Sequence, residues 1–339
     1  MPLPSCVQLV FLISMVASVG TILFSTSRLN ANSNYQPTQS LAVPPTQESL
    51  NLERSKTAVL ILFGVPKHFR LVFTSYMKNI VQRNPRMKFE VYMHMNSDLH
   101  LTSYSNGRND EKNAMLDSPD VIRTILDEVG GDNITTHLTT SSQKLFMDPN
   151  LSWIQQSDVS FFKDGSYSFR TVLNQFRQGT SLREAFFSYQ EQNINWNDNH
   201  HVYVFARSDT FLISPVDIPS EIGGTDAIVP SWHGWSGYND RFAVAGPDAA
   251  KVYATKVDGY KEAILACRSN PEAEPLFTNA ETLLKMWLLG NKLNVIEHED
   301  DWAWALLRLR ADGRIEARDS EEFKIENVTL VEHLPYYLE

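Results

Sequence analysis

The chain has 339 residues, of which 42% are hydrophobic and 21% charged, and its 18 Phe, 12 Tyr and 7 Trp can fill a sizeable core. The formal net charge is −10, without a run rich in Lys and Arg. This disfavours a nucleic-acid partner, because such proteins usually carry a basic patch or stripe. The two cysteines, Cys6 and Cys267, indicate neither a zinc cluster nor a disulfide framework.

The N-terminal segment predicts a membrane anchor. After a short tail at 1–5, residues 6–25 are apolar and uncharged, over about the length that a helix needs to cross a bilayer. A cleavable signal peptide is the alternative, although its apolar core is usually shorter, about 7–15 residues. Arg28 follows the run, which argues weakly against a cytosolic N-terminus. We expect a retained signal anchor at 6–25, and a secreted protein if this segment is cleaved.

Residues 26–55 predict a flexible stem, since they are rich in Ser, Asn, Gln, Thr and Pro and lack apolar periodicity. Residues 56–339 then form the globular domain. Sequons of the form N-x-[ST] at Asn133, Asn150 and Asn327 are compatible with a luminal glycoprotein. This layout predicts a single-pass type II protein of the Golgi or endoplasmic reticulum membrane.

The first part of the globular domain predicts a strand–helix–strand unit. Residues 57–63 are continuously apolar, as in a strand buried on both faces of a parallel sheet. An amphipathic helix is expected over 70–83 and a second strand over 89–94. The loop from Gly64 to Arg70 follows the first strand, at the sheet edge where open α/β folds bind ligands. Gly64 and Arg70 are therefore candidate ligand-binding residues.

The remaining elements follow the same alternating pattern, which predicts a mixed, mainly parallel sheet flanked by helices. The helix over 168–192 is expected to split at Gly179, with Thr180 or Ser181 capping its second half. The other predicted elements are a helix over 120–129, a strand over 201–206, an apolar return over 210–213, a helix over 248–263, a helix over 278–289 and an edge strand over 293–296.

A charged pair, Arg207 and Asp209, ends the apolar strand over 201–206. In these residues, in 202–216 and in 229–253, the chain resembles glycosyltransferases of the GT-A fold, and a poorly characterised group with Arg-x-Asp in place of Asp-x-Asp most of all. The resemblance implies that Asp209 holds a divalent cation, Mn²⁺ or Mg²⁺, on the sugar diphosphate. Because Arg cannot ligate a metal, the alternative is that Arg207 pairs with phosphate. A surface ion pair is the third interpretation.

The segment over 229–246 carries aromatic and polar side chains between two apolar strands. Such a loop can offer aromatic faces to a sugar or base, and directional hydrogen bonds to hydroxyls and phosphate. By resemblance it enters the donor-sugar site. The candidates for donor binding are Trp232, His233, Asn239 and Arg241, with Asp240 as a catalytic residue. Alternatively, Trp232 and Trp235 pack in the core, Asp240 and Arg241 form a local ion pair, and His233 satisfies hydrogen bonds.

Glu281 has two interpretations. Its spacing from Thr278 is that of a capping box, whereas the resemblance implies an acceptor contact or a general base near this helix start. Further along, Arg308, Arg310 and Arg314 either close on a diphosphate or form an exposed basic rim.

These observations predict a glycosyltransferase that moves a sugar from a nucleotide-diphosphate donor to a glycan, protein or lipid acceptor in the secretory lumen. The alternatives are a catalytically inactive carbohydrate-binding or scaffold protein, and a hydrolase that uses Asp209 and Asp240 as paired carboxylates. Dinucleotide binding is disfavoured because no G-x-G-x-x-G follows the first strand. The transferase hypothesis requires the segments 207–209 and 239–241 to converge on a shared cleft that can hold a sugar diphosphate, and it fails if both are buried away from any opening.

Overall fold

The computed structural model describes residues 56–97, 116–131, 133–141, 169–260, 280–298, 304–316 and Asp319. The predicted anchor and stem lie outside the described residues, as do both cysteines, Thr278 and the sequons at Asn150 and Asn327. The sequon residue Asn133 is described, and it is exposed. Within the described part of the chain, no helix combines the length and apolar character needed to cross a bilayer.

A mixed, mainly parallel sheet lies at the centre of the described part, as predicted. The strands are β1 (Thr57–Phe63), β2 (Lys88–Asn96), β3 (Ile134–Ser141), β4 (His201–Arg207), β5 (Thr210–Leu212), β6 (Asp226–Val229), β7 (Phe242–Ala245), β8 (Asn294–Glu297) and β9 (Leu306–Arg308). Seven of them form one sheet in the order β3-β2-β1-β4-β7-β6-β8. Neighbours from β3 to β4, and the pair β6 and β8, are parallel, whereas β7 is antiparallel to both of its neighbours.

β1 is central because its side chains are apolar on both faces. Alternate residues point to opposite sides of a strand, and here they enter two separate hydrophobic clusters. Ala58, Leu60 and Leu62 belong to one cluster, and Val59, Ile61 and Phe63 belong to the other. The continuous apolar run therefore places β1 between two core layers, as expected of a buried parallel strand.

The helices largely follow the sequence prediction. They are α1 (Phe69–Tyr76), α2 (Pro119–Val129), α3 (Phe169–Gln192), α4 (Pro247–Ala254) and α5 (Ala280–Gly290). The helix expected over 70–83 is α1 followed by the π-helical turn Met77–Val81. The helix expected over 248–263 breaks at Thr255 and continues to residue 260, beyond which the chain is not described.

The predicted split at Gly179 is wrong, because α3 runs unbroken from Phe169 to Gln192. Thr180 donates from its hydroxyl to the carbonyl of Phe176, one turn earlier, instead of capping a new helix. Gly179 instead allows close packing, since a Cβ there would lie 2.9 Å from the Cβ of Val257. Ser181 donates to the carbonyl of His94 at the end of β2. Tertiary contacts thus override the local helix-breaking signal.

The chain after β4 folds back along a second, two-stranded sheet. β5 pairs with β9 in antiparallel register, with Thr210 opposite Arg308. This pairing brings the segment near Arg308 next to the tip of β4, although the two are distant in sequence. β8 lies at the edge of the main sheet, as predicted.

Candidate functional site

The carboxyl ends of β1 and β4 meet at one edge of the sheet. Phe63 is in register with Arg207, and the amide of Ser208 donates to the carbonyl of Phe63 at 2.8 Å. Gly64 then turns the chain away with φ of +92°, a left-handed conformation that favours glycine. The turn brings the Lys67 amide to within 3.4 Å of the carbonyl oxygen of Ser208. The sheet therefore aligns the loops after two separate strands.

Arg207 and Asp209 form a bidentate ion pair at this edge. Nε and Nη2 of Arg207 donate to the two carboxylate oxygens of Asp209, each at 2.9 Å. Both residues are buried, at 8% and 3% exposure. They are therefore not the exposed surface pair that was one of the sequence interpretations.

Two further cations surround Asp209. Nε of Arg308 donates to Oδ2 of Asp209 at 3.2 Å, and Nζ of the buried Lys67 lies 3.8 Å from the same oxygen. Burial acts to raise the pKa of Asp209, but Arg207, Arg308 and Lys67 outweigh it and hold the pKa well below its usual range. Asp209 is an ionised carboxylate whose charge is already compensated.

These surroundings do not fit a divalent cation on Asp209. A metal site brings anionic or neutral oxygen ligands together, whereas Asp209 is bound by guanidinium groups on both oxygens and faces an ammonium group. Among the described residues, no group of three or more His, Cys, Asp or Glu side chains could hold a metal ion. Arg207, which the sequence analysis offered as the alternative phosphate ligand, has Nε and Nη2 engaged by Asp209.

The segments 207–209 and 239–241 converge. The amide of Arg207 donates to the carbonyl of Arg241 at 3.1 Å, and Nη1 of Arg207 lies 3.8 Å from Oδ2 of Asp240. Gln178 of α3 also donates to Oδ2 of Asp240, at 3.3 Å. The two segments lie together, which is one part of what the transferase hypothesis requires; the other part is an open cleft, and here Arg207, Asp209, Asn239 and Asp240 are buried, while 12% of the Arg241 side chain is exposed.

Four cationic side chains act on the Asp240 carboxylate. Burial alone would raise its pKa, but nearby positive charge, that of Arg207 above all, keeps the pKa below its usual range. The other three cations are Lys256, Arg241 and Arg308. Asp240 is thus an anion within a predominantly cationic cluster.

The loop before Asp240 is held by Asn239 and Trp232. Nδ2 of Asn239 donates to the carbonyl of Trp232 at 2.8 Å, and Oδ1 accepts from the amide of Arg241 at 2.9 Å. Asn239 is buried at 1% exposure, so its amide group fixes the loop internally. Trp232 is also buried and belongs to the core, while the Arg241 guanidinium lies 5.7 Å from its ring centroid. The buried side chains of Asn239 and Trp232 therefore support the loop from the core side.

Arg241 is held by Asp319, a fully buried residue near the end of the described chain. Nη1 of Arg241 donates to both oxygens of Asp319 at 2.8 Å, and the Arg308 amide donates to Oδ2 at 2.6 Å. Nδ1 of His233 lies 3.4 Å from Oδ1 of the same carboxylate. Asp319 therefore connects the loop of Arg241 with strand β9.

Glu281, in the first turn of α5, adjoins this loop. The amide of Tyr238 donates to the carbonyl of Glu281 at 3.1 Å, and a Cβ on Gly237 would lie 2.0 Å from the Glu281 carbonyl carbon. Burial, together with the negative charge of Asp240, raises the pKa of Glu281 to about 7. The side chain is only partly buried. It is therefore a carboxylate near the surface that can take or release a proton at neutral pH.

Lys256 is the most isolated charge of the cluster. It is 2% exposed, its Nζ lies 4.8 Å from the ring centroid of Tyr253 and 5.3 Å from that of Phe63, and it has no hydrogen-bond partner among the described residues. Burial lowers its pKa to about 8, and the nearby Asp240 opposes this shift. Lys256 contributes positive charge beneath the site.

Three other arginines that were candidates from the sequence do not contact Asp209 in the described structure: Arg70, Arg310 and Arg314. Arg70 is exposed and pairs with Glu128 of α2. Arg310 is buried and pairs with Glu316, whereas Arg314 is exposed and pairs with Asp312. Of the three arginines at 308, 310 and 314, only Arg308 contacts Asp209 in the described structure.

Four residues of the cluster were not identified from the sequence as site residues: Lys67, Gln178, Lys256 and Asp319. Lys67 lies in the loop already assigned to the ligand edge, so its position was a usable signal. Gln178 and Lys256 lie in helices, where a single polar residue is ordinary. Asp319 is separated by a long stretch of sequence from Arg241, and only the fold reveals their contact.

No protein-family profile and no curated protein matches this chain. Among solved structures, the galactosyltransferase LgtC in complex with donor and acceptor sugar analogs is similar at 8% identity over 71% of this chain and 72% of that chain, with a TM-score of 0.32. The apo form of mouse xyloside xylosyltransferase 1 is similar at 9% identity over 71% and 84%, with a TM-score of 0.36. At these values the similarity carries no functional argument, so the function rests on the chain's own residues.

Proposed function

We propose that this chain is a glycosyltransferase that uses a nucleoside-diphosphate sugar as donor. The observation that carries the proposal is the charge cluster at the carboxyl edge of β1 and β4. Five cationic side chains surround three aspartates there, and Glu281 with its pKa of about 7 lies beside them. The cations are Lys67, Arg207, Arg241, Lys256 and Arg308. They outnumber the three aspartates by two, while Glu281 and Glu316, which lies 3.9 Å from Arg308, add negative charge beside them. The guanidinium groups among them suit a polyanionic ligand at the edge where open α/β sheets bind substrates.

Arg241 and Arg308 are the cations that meet the donor diphosphate. Their side chains are 12% and 23% exposed, whereas Lys67 is almost completely buried. Guanidinium groups bind phosphate oxygens through paired, directed hydrogen bonds. Asp209 and Asp319 hold these two side chains in place from below. Asp209 acts as a positioning residue and not as a metal ligand.

Glu281 is the proton acceptor. In the transfer, the acceptor hydroxyl oxygen forms a bond to the anomeric carbon of the sugar, and its proton passes to Glu281. The bond from that carbon to the diphosphate breaks, and the diphosphate leaves with the electron pair. Arg241 and Arg308 stabilise the negative charge that develops on the diphosphate. Asp240 is buried, and its charge helps to keep the pKa of Glu281 near neutrality.

We also propose that the enzyme works in the lumen of the Golgi or endoplasmic reticulum, as a single-pass type II membrane protein. The support is the apolar segment 6–25, the polar segment 26–55 and the exposed sequon at Asn133. An expressed chain whose mass falls on treatment with an N-glycosidase, and whose Asn133→Gln variant shows a smaller fall, would support a luminal domain. A chain without glycans would count against it.

One observation favours the second candidate, an inactive carbohydrate-binding or scaffold protein. The Asp209 carboxylate is bound on both oxygens by side chains of the chain itself, so both of its oxygens are already engaged within the protein. Such an ion pair can stabilise the fold of a protein that has no catalytic activity.

A turnover assay separates the two candidates. The purified full chain is incubated with a panel of nucleoside-diphosphate sugars together with a panel of oligosaccharide acceptors, in Mn²⁺ and in EDTA, and release of the nucleoside diphosphate is measured. We expect release from at least one donor in both conditions, with a loss of about 10²-fold or more in Glu281→Gln. The exposed Asp217→Asn variant is the matched control and retains full turnover. Donor binding without release in any condition would support the scaffold.

A further inference from the structure

Trp235 differs from the other aromatic side chains of the site. It is 48% exposed, whereas Trp232, three residues earlier, is 6% exposed and packs in the core. Trp is enriched among the residues that dominate binding energy at interfaces. Of the two tryptophans in the loop, Trp235 is therefore the one that offers its ring to a ligand.

The backbone around Trp235 is held in an unfavourable conformation. His233, Trp235 and Ser236 have φ values of +51°, +44° and +68°, which cost free energy in residues that carry a Cβ. The turn is closed by a hydrogen bond from the amide of Gly237 to the carbonyl of Gly234 at 2.5 Å. Strain of this kind persists only where the surrounding structure enforces it, and it clusters at functional sites.

The loop is fastened to the helix that carries the proton acceptor. The hydroxyl of Thr282 donates to the carbonyl of Trp235 at 3.5 Å, and the amide of Tyr238 donates to the carbonyl of Glu281 at 3.1 Å. Gly237 lies against the Glu281 backbone so closely that a Cβ has no room. The loop that carries Trp235 is thus joined to the first turn of α5 through Thr282, Tyr238 and Gly237.

We propose that Trp235 is the stacking platform for a pyranose ring of a carbohydrate acceptor. This rests on the proposed transferase function, and it names the acceptor as a glycan. The acceptor hydroxyl must lie within hydrogen-bond reach of Glu281, so the acceptor ring occupies the space next to the loop that is joined to Glu281.

A sugar ring fits this position better than a purely apolar partner. A pyranose presents C–H groups on its faces and hydroxyls at its rim, so it needs an aromatic surface with polar groups alongside. Trp235 has the imidazole of His233 at 5.8 Å between ring centroids, and Thr282 and Glu281 lie on the adjoining helix turn. A nucleobase could stack on the same ring, and the experiment separates these ligands.

The test measures binding of defined probes without the donor. The probes are soluble oligosaccharides that end in galactose, glucose, mannose, xylose or N-acetylglucosamine, and, separately, the nucleoside diphosphates ADP, GDP, CDP and UDP. Affinities are measured by calorimetry for the full chain and for its Trp235→Leu and Trp235→Phe variants. Leu keeps the apolar character but removes the aromatic face, whereas Phe keeps an aromatic face.

We expect at least one oligosaccharide to bind, with affinity reduced about tenfold or more in Trp235→Leu and largely retained in Trp235→Phe. Nucleoside diphosphates should bind equally to all three proteins. The inference is overturned if no oligosaccharide binds, if Leu and Phe act alike, or if nucleotide affinity is lost instead. Donor turnover is measured separately. If the chain turns over its donor but Trp235→Leu does not weaken oligosaccharide binding, only this inference is overturned. Oligosaccharide binding without any donor turnover overturns only the transferase.

Discussion

Arg207 donates two hydrogen bonds of 2.9 Å to Asp209 inside the molecule. Arg83 and Asp217 form the same fork on the surface, at 2.6 and 3.1 Å, where the Asp217 side chain is 70% exposed. The two pairs share their geometry and differ in burial, so they provide a matched comparison of what a buried pair contributes.

We expect Asp209→Asn to lower the free energy of unfolding by about 3–5 kcal/mol, because it leaves buried cations without their counter-charge. Asp217→Asn should cost no more than about 1 kcal/mol, since water screens an exposed pair. Chemical denaturation of the two variants checks both values. Equal, small losses would show that Asp209 is not the counter-ion of the cluster.

Glu281 predicts the pH dependence of turnover. With a pKa raised to about 7, it is protonated and inactive as a base below that pH, so turnover should rise as pH increases through about 7. Glu281→Gln should lower turnover by about 10²–10⁴-fold and remove this rise. A pH profile that keeps its shape in the variant would exclude Glu281 as the base.

The same group predicts a pH dependence of stability. A raised pKa means that the folded state favours protonated Glu281. Its favourable contribution is complete below the ordinary value of 4.5 and is lost as pH rises through about 7. The stability of Glu281→Gln, measured relative to the native chain, should therefore increase from pH 5 to pH 8. Thermal unfolding at the two pH values measures the difference, and an unchanged difference would contradict the assignment.

The lowered pKa of Lys256 predicts that its contribution to the free energy of unfolding increases with pH in the alkaline range. Burial lowers its pKa to about 8 from an ordinary 10.5, so the folded state favours the neutral amine. Stability relative to Lys256→Met should rise between pH 8 and 10.5 and be smallest below pH 8. Unfolding free energies across this range test it, with Lys251→Met, an exposed position on α4, as the control. A flat difference would mean that Lys256 is hydrated in solution.

The contact between the loop and α5 predicts the effect of Gly237→Ala. The added Cβ would lie 2.0 Å from the Glu281 carbonyl carbon, so the loop or the helix must move. We expect a loss of about 1–3 kcal/mol in stability and a loss of turnover. Gly131→Ala is the matched control, because nothing lies within 4 Å of its Cβ. If the two variants behave alike, the loop is not fixed to the helix as described.

Part of this structure could be predicted from sequence because the signal is local. β1 and β4 are continuous apolar runs, and open α/β sheets bind ligands at the carboxyl ends of such strands. That placed Arg207 and Asp209 at the ligand edge. The unbroken α3 could not be predicted, because Gly179 reads locally as a break and only its contact with Val257 explains it.

The site was only partly predictable for the same reason. Asp209 was expected to be open to a metal, but the cations that surround it come from the loop after β1 and from β9, which no local pattern connects. Trp232 was chosen for the ligand and Trp235 was not, since burial distinguishes them and their residue type does not.

The central claim is that arginines, rather than a metal on Asp209, hold the donor diphosphate. The direct measurement is the affinity of the full chain for ADP, GDP, CDP and UDP in EDTA, compared with Arg308→Gln and with Arg314→Gln as an exposed control. We predict that at least one nucleotide binds in EDTA, about tenfold or more weakly to Arg308→Gln and unchanged to Arg314→Gln. Binding that requires Mn²⁺, or that is the same in all three proteins, would contradict the claim.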